Sequence, residues 1–330
     1  MDPLKTILVT GGAGFIGSHA CKALAKAGYQ PVTFDNFGNG WREAVKFGPA
    51  EEGDLLDQPR ILEVLRKWKP EAVMHFAALI EVGVSVKSPQ TFWRNNVVGT
   101  MNLLDAMVEA GTKRLVFSST CAVNGDQDGV MLDETSDTAP ASPYANSKLA
   151  AERMISDYAS VHDLRTLAFR YFNVAGADPD GEVGEHHRPE THLIPLVLDA
   201  IMGKRDALSI FGEDYPTPDG TCVRDYVHVS DLVAAHVAGL DYLETENRAP
   251  VITLGTGRGF SVREVVETAA EVTGLPVPHK IEGRRDGDPA SLVCGSKLAH
   301  EALGWQAVRS QLPTMIADAY AWAKDGHYEG

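Results

Sequence analysis

Short apolar runs alternate with longer stretches of helical periodicity through the first half of the chain. Lys5-Thr6-Ile7-Leu8-Val9 is a compact β-branched run of the kind buried on both faces of a sheet. Behind it, Ala20, Leu24 and Ala27 recur at helical spacing from His19 to Gly28. Pro31-Val32-Thr33-Phe34 predicts a second strand, Asp57 to Lys67 a helix, and Ala72-Val73-Met74-His75-Phe76 a third strand. Ser88 to Gly111 carries a long helical pattern in which Pro89 suits a first turn. Arg114 to Ser118 predicts a strand, Pro143 to Val161 a helix and Arg165 to Arg170 a further strand. Such alternation is that of an α/β chain with a doubly wound parallel sheet.

The second half is less regular. Asp178 to Pro189 and Gly212 to Gly220 are rich in turn formers and read as loops, with a short helical stretch, His192 to Met202, between them. Val251-Ile252-Thr253-Leu254-Gly255 predicts a late strand returning to the first sheet, and Ser261 to Thr273 and Ser296 to Leu303 are amphipathic. A length of 330 suggests two domains. The expected division is 1–173, with a return segment near 225–256, and a smaller α/β substrate-binding domain over 174–330.

Ligands of doubly wound sheets sit beyond the C-terminal strand ends. The first such end carries Thr10-Gly11-Gly12-Ala13-Gly14-Phe15-Ile16-Gly17. Gly11 can turn the chain sharply, while Gly12 and Gly14 let backbone approach a pyrophosphate. Gly17 lets the helix lie close on the strand, and the helix N-terminus faces the anion. Asp35 ends the second strand about 20 residues later, where this dinucleotide fingerprint places its acid. A carboxylate there accepts hydrogen bonds from a ribose diol and repels a 2′-phosphate, which favours NAD over NADP.

Composition narrows the partners. The net charge of −15 argues against a nucleic-acid or anionic-membrane surface, so an anionic substrate would need a local arginine cluster. No apolar run of ~18 residues is present for a membrane span. The first strand begins almost at Met1, which leaves no room for a signal peptide. Cys21, Cys121, Cys222 and Cys294 lack metal-type spacing and are expected to be reduced thiols of a cytoplasmic protein. His186 and His187 sit in a polar loop without partners of recognised spacing, so no metal site is expected.

The candidate chemistry lies in Ser142-Pro143-Tyr144-Ala145-Asn146-Ser147-Lys148. Four-residue spacing puts Tyr144 and Lys148 on one helix face. A free phenol titrates near 10 and is a poor base, but a nearby ammonium and an oxidised nicotinamide ring would both stabilise the phenolate. Thr120, at a strand end, offers a hydroxyl to share the proton. A bare pair at this spacing is more often a surface pair; the preceding dinucleotide fingerprint makes it a catalytic candidate.

With these motifs the chain resembles the extended short-chain dehydrogenase/reductases, and within them the UDP-galactose (UDP-glucose) 4-epimerases, over nearly its whole length. The matching stretches include Thr10 to His19, Gly53-Asp54-Leu55, His75-Phe76-Ala77-Ala78, Asn95 to Thr100, Ser142 to Lys148, Arg170-Tyr171-Phe172-Asn173 and Arg284-Arg285-Asp286-Gly287-Asp288. Phe211 to Tyr226 is the stretch most like the 4-epimerases. The resemblance implies a Rossmann domain with tightly bound NAD and a reversible inversion at C4 of a UDP-hexose. It assigns Tyr144 as base, Lys148 to the nicotinamide ribose and Thr120 to the sugar hydroxyl. Asp35 and Asp54 would read the adenosine, with Gly11, Gly14, Phe15, Ile16, Gly17, Asn36, Leu55, Phe76, Ala77, Ala78, Asn95, Ser118 and Tyr171 completing the cofactor site. Phe172, Asn173, His192, Leu193, Arg224, Arg285 and Asp288 would hold the UDP-sugar, the two arginines gripping its diphosphate. The bland alternative for those arginines is local ion pairing. Pairing of two subunits through the helices Ser88 to Gly111 and Pro143 to Val161 is expected by the same analogy.

Some positions depart from the family pattern. Ile80 stands for a lysine near the cofactor, Asn124 for a tyrosine and Val174 for a proline. His192 stands for an asparagine against the nucleotide, or is simply a helix-start histidine without a ligand. Leu292 aligns with the position that makes room for an N-acetyl group and suggests little space. A 4,6-dehydratase is disfavoured because Cys121 and Ala122 replace its Asp-Glu pair. A UDP-xylose/UDP-arabinose 4-epimerase uses the same residues and stays open. A non-catalytic NAD-binding regulator would lack the tyrosine–lysine pair.

Overall fold

The computed structural model describes residues 4–127, 129–246, 250–285, 288–325 and 328. Within them the first strands are β1 (Thr6–Thr10), β2 (Gln30–Asp35), β3 (Ala50–Glu52), β4 (Ala72–His75), β5 (Arg114–Ser118) and β6 (Arg165–Arg170). There follow β7 (Asn173–Ala175), β8 (Leu208–Phe211), β9 (Val223–His228), β10 (Val251–Thr253), β11 (Gly259–Ser261), β12 (His279–Glu282) and β13 (Ser291–Leu292). Seven strands form one sheet in the order β10-β6-β5-β4-β1-β2-β3, every pairing parallel. Growth from β1 runs one way to β2 and β3 and the other way to β4 onward, so the order reverses between β1 and β4. That reversal opens the crevice in which such sheets bind ligands.

Both faces of the sheet are covered, which explains the unbroken apolar runs. Successive side chains of a strand point to opposite faces. Ile7 and Val9 therefore join Met74 and Phe169 in a core under the helices Phe15–Lys26 and Val229–Thr245. Leu8 joins Phe34, Leu104, Phe117 and Ile155 on the other face.

The first helix begins at Phe15, ahead of the expected His19, and so contains Gly17. The reason is packing. A Cβ on Gly17 would lie 2.0 Å from the Gly11 carbonyl oxygen, so only glycine lets this helix start so close to the turn that feeds it. The predicted helix from Ser88 is realised as α-helical Pro89–Phe92, a π-helical stretch Trp93–Val98 and α-helical Gly99–Ala110. Helix Pro143–His162 starts cleanly because Ser142 accepts from the Ala145 N–H at 3.2 Å and Pro143 occupies the first turn.

The late strand β10 joins the first sheet beside β6. The other late strands form smaller sheets: β9 pairs β7 and β13 in parallel and β11 antiparallel, while β8 pairs β12 in parallel. They pack on the helices Leu193–Ile201, Val262–Thr273 and Leu312–Asp325 around Ile194, Leu198, Ile210, Phe260, Val265 and Met315. Helices Val229–Thr245 and Leu312–Asp325 were not expected from periodicity. The first is buried on most sides, through Leu232, Val233, His236, Leu240 and Leu243, and so lacks the polar face that marks an amphipathic helix. No helix among the described residues is long and apolar enough to cross a membrane.

Phe169 is fully buried in β6 and meets the His236 ring at a centroid distance of 4.8 Å. Phe169→Ala should lower unfolding free energy by ~3–5 kcal/mol, the usual effect of emptying an aromatic core site. Equilibrium urea unfolding checks this through a lower midpoint at an unchanged slope.

Candidate active site

The glycine turn is built by contact with its neighbours. Gly11 has φ 71°, and a Cβ there would lie 2.6 Å from the Ala77 nitrogen, so β1 and the Phe76-Ala77-Ala78 segment can close on each other only at glycine. The Ala77 N–H donates to the Thr10 carbonyl at 3.1 Å, and the Gly11 N–H to the Phe34 carbonyl at 2.9 Å. Gly12 faces the Thr33 side chain instead, so part of its requirement is packing. Asp35 accepts from the Ala13 N–H at 3.0 Å and from the Phe37 N–H at 2.9 Å. Burial raises its pKa, and these N–H donors oppose the rise. The Asn36 amide donates to Asp54 at 2.8 Å, which brings the two expected adenosine readers to one edge. Leu55 packs under Gly99 at the same edge. Helix Phe15–Lys26 begins at Gly14 with no side chain capping its N-terminal N–H groups. These uncapped donors, with the two carboxylates, fit a dinucleotide pyrophosphate and its adenosine.

Thr120, Tyr144 and Lys148 meet at the next strand ends. A hydrogen bond links Thr120 to the Tyr144 phenol, and the Lys148 ammonium lies 4.6 Å from the centre of the Phe117 ring. Thr120 and Lys148 are buried, and Tyr144 is partly buried. Burial pushes the Tyr144 phenol up to about 12, against the pull of Thr120. Burial also brings Lys148 down to about 7, against the pull of Glu152. The expected stabilisation of the phenolate needs the oxidised nicotinamide ring as well as the ammonium. In the folded chain desolvation outweighs any help from the lysine, because both groups are held in the same dry site.

Ser118 and the Tyr171 hydroxyl are hydrogen-bonded, and the Cys121 N–H donates to the Tyr171 carbonyl at 3.1 Å. Asn95 donates to Asn96 at 3.0 Å. Asn96 was not singled out from sequence, yet it holds the region together. Its amide accepts from the Leu79 N–H at 2.9 Å and donates to the Leu79 carbonyl and to Ser147, each at 3.0 Å. The π-helical widening at Trp93–Val98 carries it. Also unforeseen is the buried pair Glu152–Arg170. Arg170 Nε donates to one carboxylate oxygen at 2.9 Å and Nη2 to the other at 2.6 Å, and the Ser119 hydroxyl adds a third bond. His75 lies between Thr10 at 2.6 Å and Thr100 at 3.0 Å, and burial keeps it neutral with its pKa lowered to about 3.

The expected substrate residues form a second group. Arg224 is ion-paired with Asp288 and also donates to the Val223 carbonyl at 2.7 Å. The guanidinium of Arg285 lies 3.8 Å from the centre of the Phe211 ring. The Asn173 amide donates to the Asp225 carbonyl at 3.0 Å, tying the strand after Tyr171 to β9. Phe172 packs beside Cys121, Leu132 and Cys294. Leu292 lies in β13 opposite Arg224. Asp286 and Gly287 of the arginine stretch lie outside the described residues.

Of the departures, Ile80 is exposed, and Asn124 is buried, donating to the Ser136 and Asp137 carbonyls at 3.1 and 2.9 Å. His192 precedes helix Leu193–Ile201, but its ring faces Glu185 and Glu190. His187 shares those carboxylates. The expectation of no metal site rested on missing partners, and the fold supplies a group of four.

A family model described as the NAD dependent epimerase/dehydratase family matches residues 7–255. The chain is 50% identical over 318 residues to a UDP-glucose 4-epimerase of Rhizobium leguminosarum bv. trifolii, covering 96% of this chain and 97% of that protein. The crystal structure of UDP-glucose 4-epimerase from Brucella ovis in complex with NAD superposes with a TM-score of 0.94 at 48% identity, over 96% of this chain and 98% of that one. The Bifidobacterium longum UDP-glucose 4-epimerase in complex with NAD+ and UDP gives 0.92 at 35% identity, over 98% and 100%.

Lys148 generates a pH signature. With a folded pKa of about 7 and an ordinary value of 10.5, it binds fewer protons folded than unfolded throughout that interval. Stability therefore rises with pH across it and is lost as pH falls toward 7. In nucleotide-stripped protein, raising the pH from 7 to about 9.5 should lift the thermal midpoint of the wild type more than that of Lys148→Met. Scanning calorimetry at matched ionic strength checks the difference.

Proposed function

The chain belongs to the NAD dependent epimerase/dehydratase family, and on that premise we propose that it is an NAD-dependent UDP-glucose 4-epimerase, inverting C4 of UDP-galactose and UDP-glucose reversibly through a 4-keto sugar. The observation that carries this reading is Tyr144, hydrogen-bonded to Thr120 and one turn from Lys148, beside a glycine turn that fits a dinucleotide.

Bound NAD supplies the hydride acceptor, its reduced form the donor, and its oxidised ring a positive charge. The residues of the chain supply position and the proton. Tyr144 would act as the phenolate that the positive charge of the oxidised ring favours, taking the proton from the C4 hydroxyl and returning it after inversion, with Thr120 holding the same oxygen. Lys148, whose pKa burial lowers to about 7, would hold the nicotinamide ribose and favour the phenolate when charged. Arg224 and Arg285 grip the diphosphate, with Asp288 orienting Arg224. Asn173 and Phe172 line the approach to the sugar. Anchoring the nucleotide remote from the reacting carbon leaves a planar 4-keto ring free to present its other face.

A homodimer is part of this reading. Trp93, Val98 and Met101 are exposed along the helical stretch from Pro89 to Ala110, and Val161 at the end of Pro143–His162, an apolar surface suited to a second copy. The four cysteines are buried and unpaired, which accords with a cytoplasmic setting.

Tyr144→Phe should lower kcat for UDP-galactose by ~10²–10⁴-fold, the usual contribution of a positioned acid–base group. Coupled turnover, with bound NAD measured in both proteins, checks this. An NAD-loaded wild type that turns over neither UDP-galactose nor UDP-arabinose would overturn the epimerase reading.

A further inference from the structure

The eight residues Glu185 to His192 contain two imidazoles and two carboxylates whose donor atoms converge. Glu185, His187, Glu190 and His192 each offer one atom, and the four lie within 4.8 Å of one another. His192 Nδ1 is 2.8 Å from Glu185 Oε1 and 3.3 Å from Glu190 Oε1. His187 Nδ1 is 3.3 Å from Glu185 Oε1 and 3.5 Å from Glu190 Oε2. A tetrahedral ion with bonds of ~2.0–2.2 Å separates its ligand atoms by about 3.3–3.6 Å, and most of these distances are at or near that spacing.

Three of these atoms fall short of well-aligned hydrogen bonding. Glu185 Oε1, His187 Nδ1 and His192 Nδ1 are each buried without a hydrogen-bond partner, and the Glu185 side chain is only 6% exposed. The four donor atoms are gathered within 4.8 Å of one another, close enough to share one ion in place of the protons of ion-paired imidazoles. The neighbouring acidic group is the contrast. Asp178, Asp180 and Glu182 also cluster, but Lys22 stands among them and donates to Asp178 at 2.6 Å and to Asp180 at 2.7 Å. That cluster carries its own cation.

The ring of donors is held from outside. The Thr191 and His192 N–H groups donate to Glu190 Oε1 at 2.7 and 2.8 Å. The Trp322 indole donates to the Glu185 carbonyl at 3.0 Å and the Trp41 indole to the His186 carbonyl at 2.8 Å. Such outer support is what orients metal ligands.

We infer that Glu185, His187, Glu190 and His192 form a closed, four-coordinate site for a divalent transition ion of the zinc class. Two imidazoles with two carboxylates suit zinc, and the carboxylates balance its charge. Four protein donors leave no open position, so the ion is structural. It fastens the loop that leads into helix Leu193–Ile201 and commits His192 to the ion, away from the nucleotide. This inference stands apart from the epimerase reading, and neither falls with the other.

The test uses tag-free full-length protein, stripped with a chelator and titrated with ZnCl2 or CoCl2. One equivalent of zinc per chain should bind, and cobalt should give the intense visible bands of a four-coordinate ion. Glu185→Gln and His187→Gln should weaken zinc binding beyond the ~10–100-fold that follows loss of an outer-shell partner. Circular dichroism establishes that each variant is folded. His187→Cys retains a metal donor and should add a thiolate-to-cobalt charge-transfer band, a signature that ion pairing alone does not produce. Zinc bound equally by wild type and Glu185→Gln, or cobalt remaining six-coordinate in the wild type with no new band in His187→Cys, would overturn the site and leave four residues in ion pairs.

Discussion

The placement of the reactive pair depends on one buried ion pair. Glu152 lies on the helix that carries Tyr144 and Lys148, and Arg170 ends the strand beside it; both side chains are almost wholly withdrawn from water. Desolvating two charges costs several kcal/mol each, and it is offset here by a two-point guanidinium–carboxylate contact and a third bond from Ser119. Such a pair adds little net stability over apolar packing. Its contribution is registration, since it joins the helix, β6 and the end of β5 at one point. Ser119 precedes Thr120, so the bond that completes the ion pair also sets where Thr120 meets the phenol. Removing one partner would strand the other charge beside Lys148.

That dry setting governs the electrostatics. Burial drives the phenol up and the ammonium down, so desolvation favours the neutral form of each. A positive charge entering the site then has a large effect, because little solvent screens it. The chain as a whole is strongly acidic, at net −15, and its candidate substrate arginines are held by specific partners. Arg224 is paired with Asp288, and Arg285 lies on the ring of Phe211. A guanidinium over an aromatic face keeps its hydrogen-bond donors available at its edge, which suits a group that must grip a diphosphate.

The features legible in the sequence were those whose meaning is local. Gly11 to Gly17, the acid at Asp35 and the four-residue step from Tyr144 to Lys148 are short patterns fixed by the geometry of one turn or one helix. Strand runs such as Arg114–Ser118 were legible because a sheet covered on both faces demands unbroken apolar residues. The rest depends on contacts between distant positions. Asn96 and Ser147 are 51 residues apart, and neither residue type signals a role alone. Helix Val229–Thr245 was hidden because its burial erases the polar face. The desolvation of Tyr144 and Lys148 was hidden for the same reason: spacing reports that two groups are near, and only the fold reports how far they are withdrawn from water. His187 was read correctly as lying in a polar loop, but the turn that aims its ring at Glu185 and Glu190 has no linear signature.

The loop from Asp178 to His192 shows how the substrate half is fastened to the glycine helix. At its start, Lys22 of helix Phe15–Lys26 reaches Asp178 and Asp180, and its charge is stabilised by three surrounding carboxylates. In its middle, Trp41 from the segment after β2 stacks with Tyr328 and bonds the His186 carbonyl, while Arg188 lies over the Trp41 ring. At its end stand the four converging donors, immediately before helix Leu193–Ile201. The first two anchors draw a residue of the first half onto the loop, and the third closes the loop on itself. A 4-epimerase must release one face of its sugar and accept the other without losing the nucleotide. A loop fastened at several points along its length suits that demand, because it ties the glycine helix and helix Leu193–Ile201 to one another through side-chain contacts.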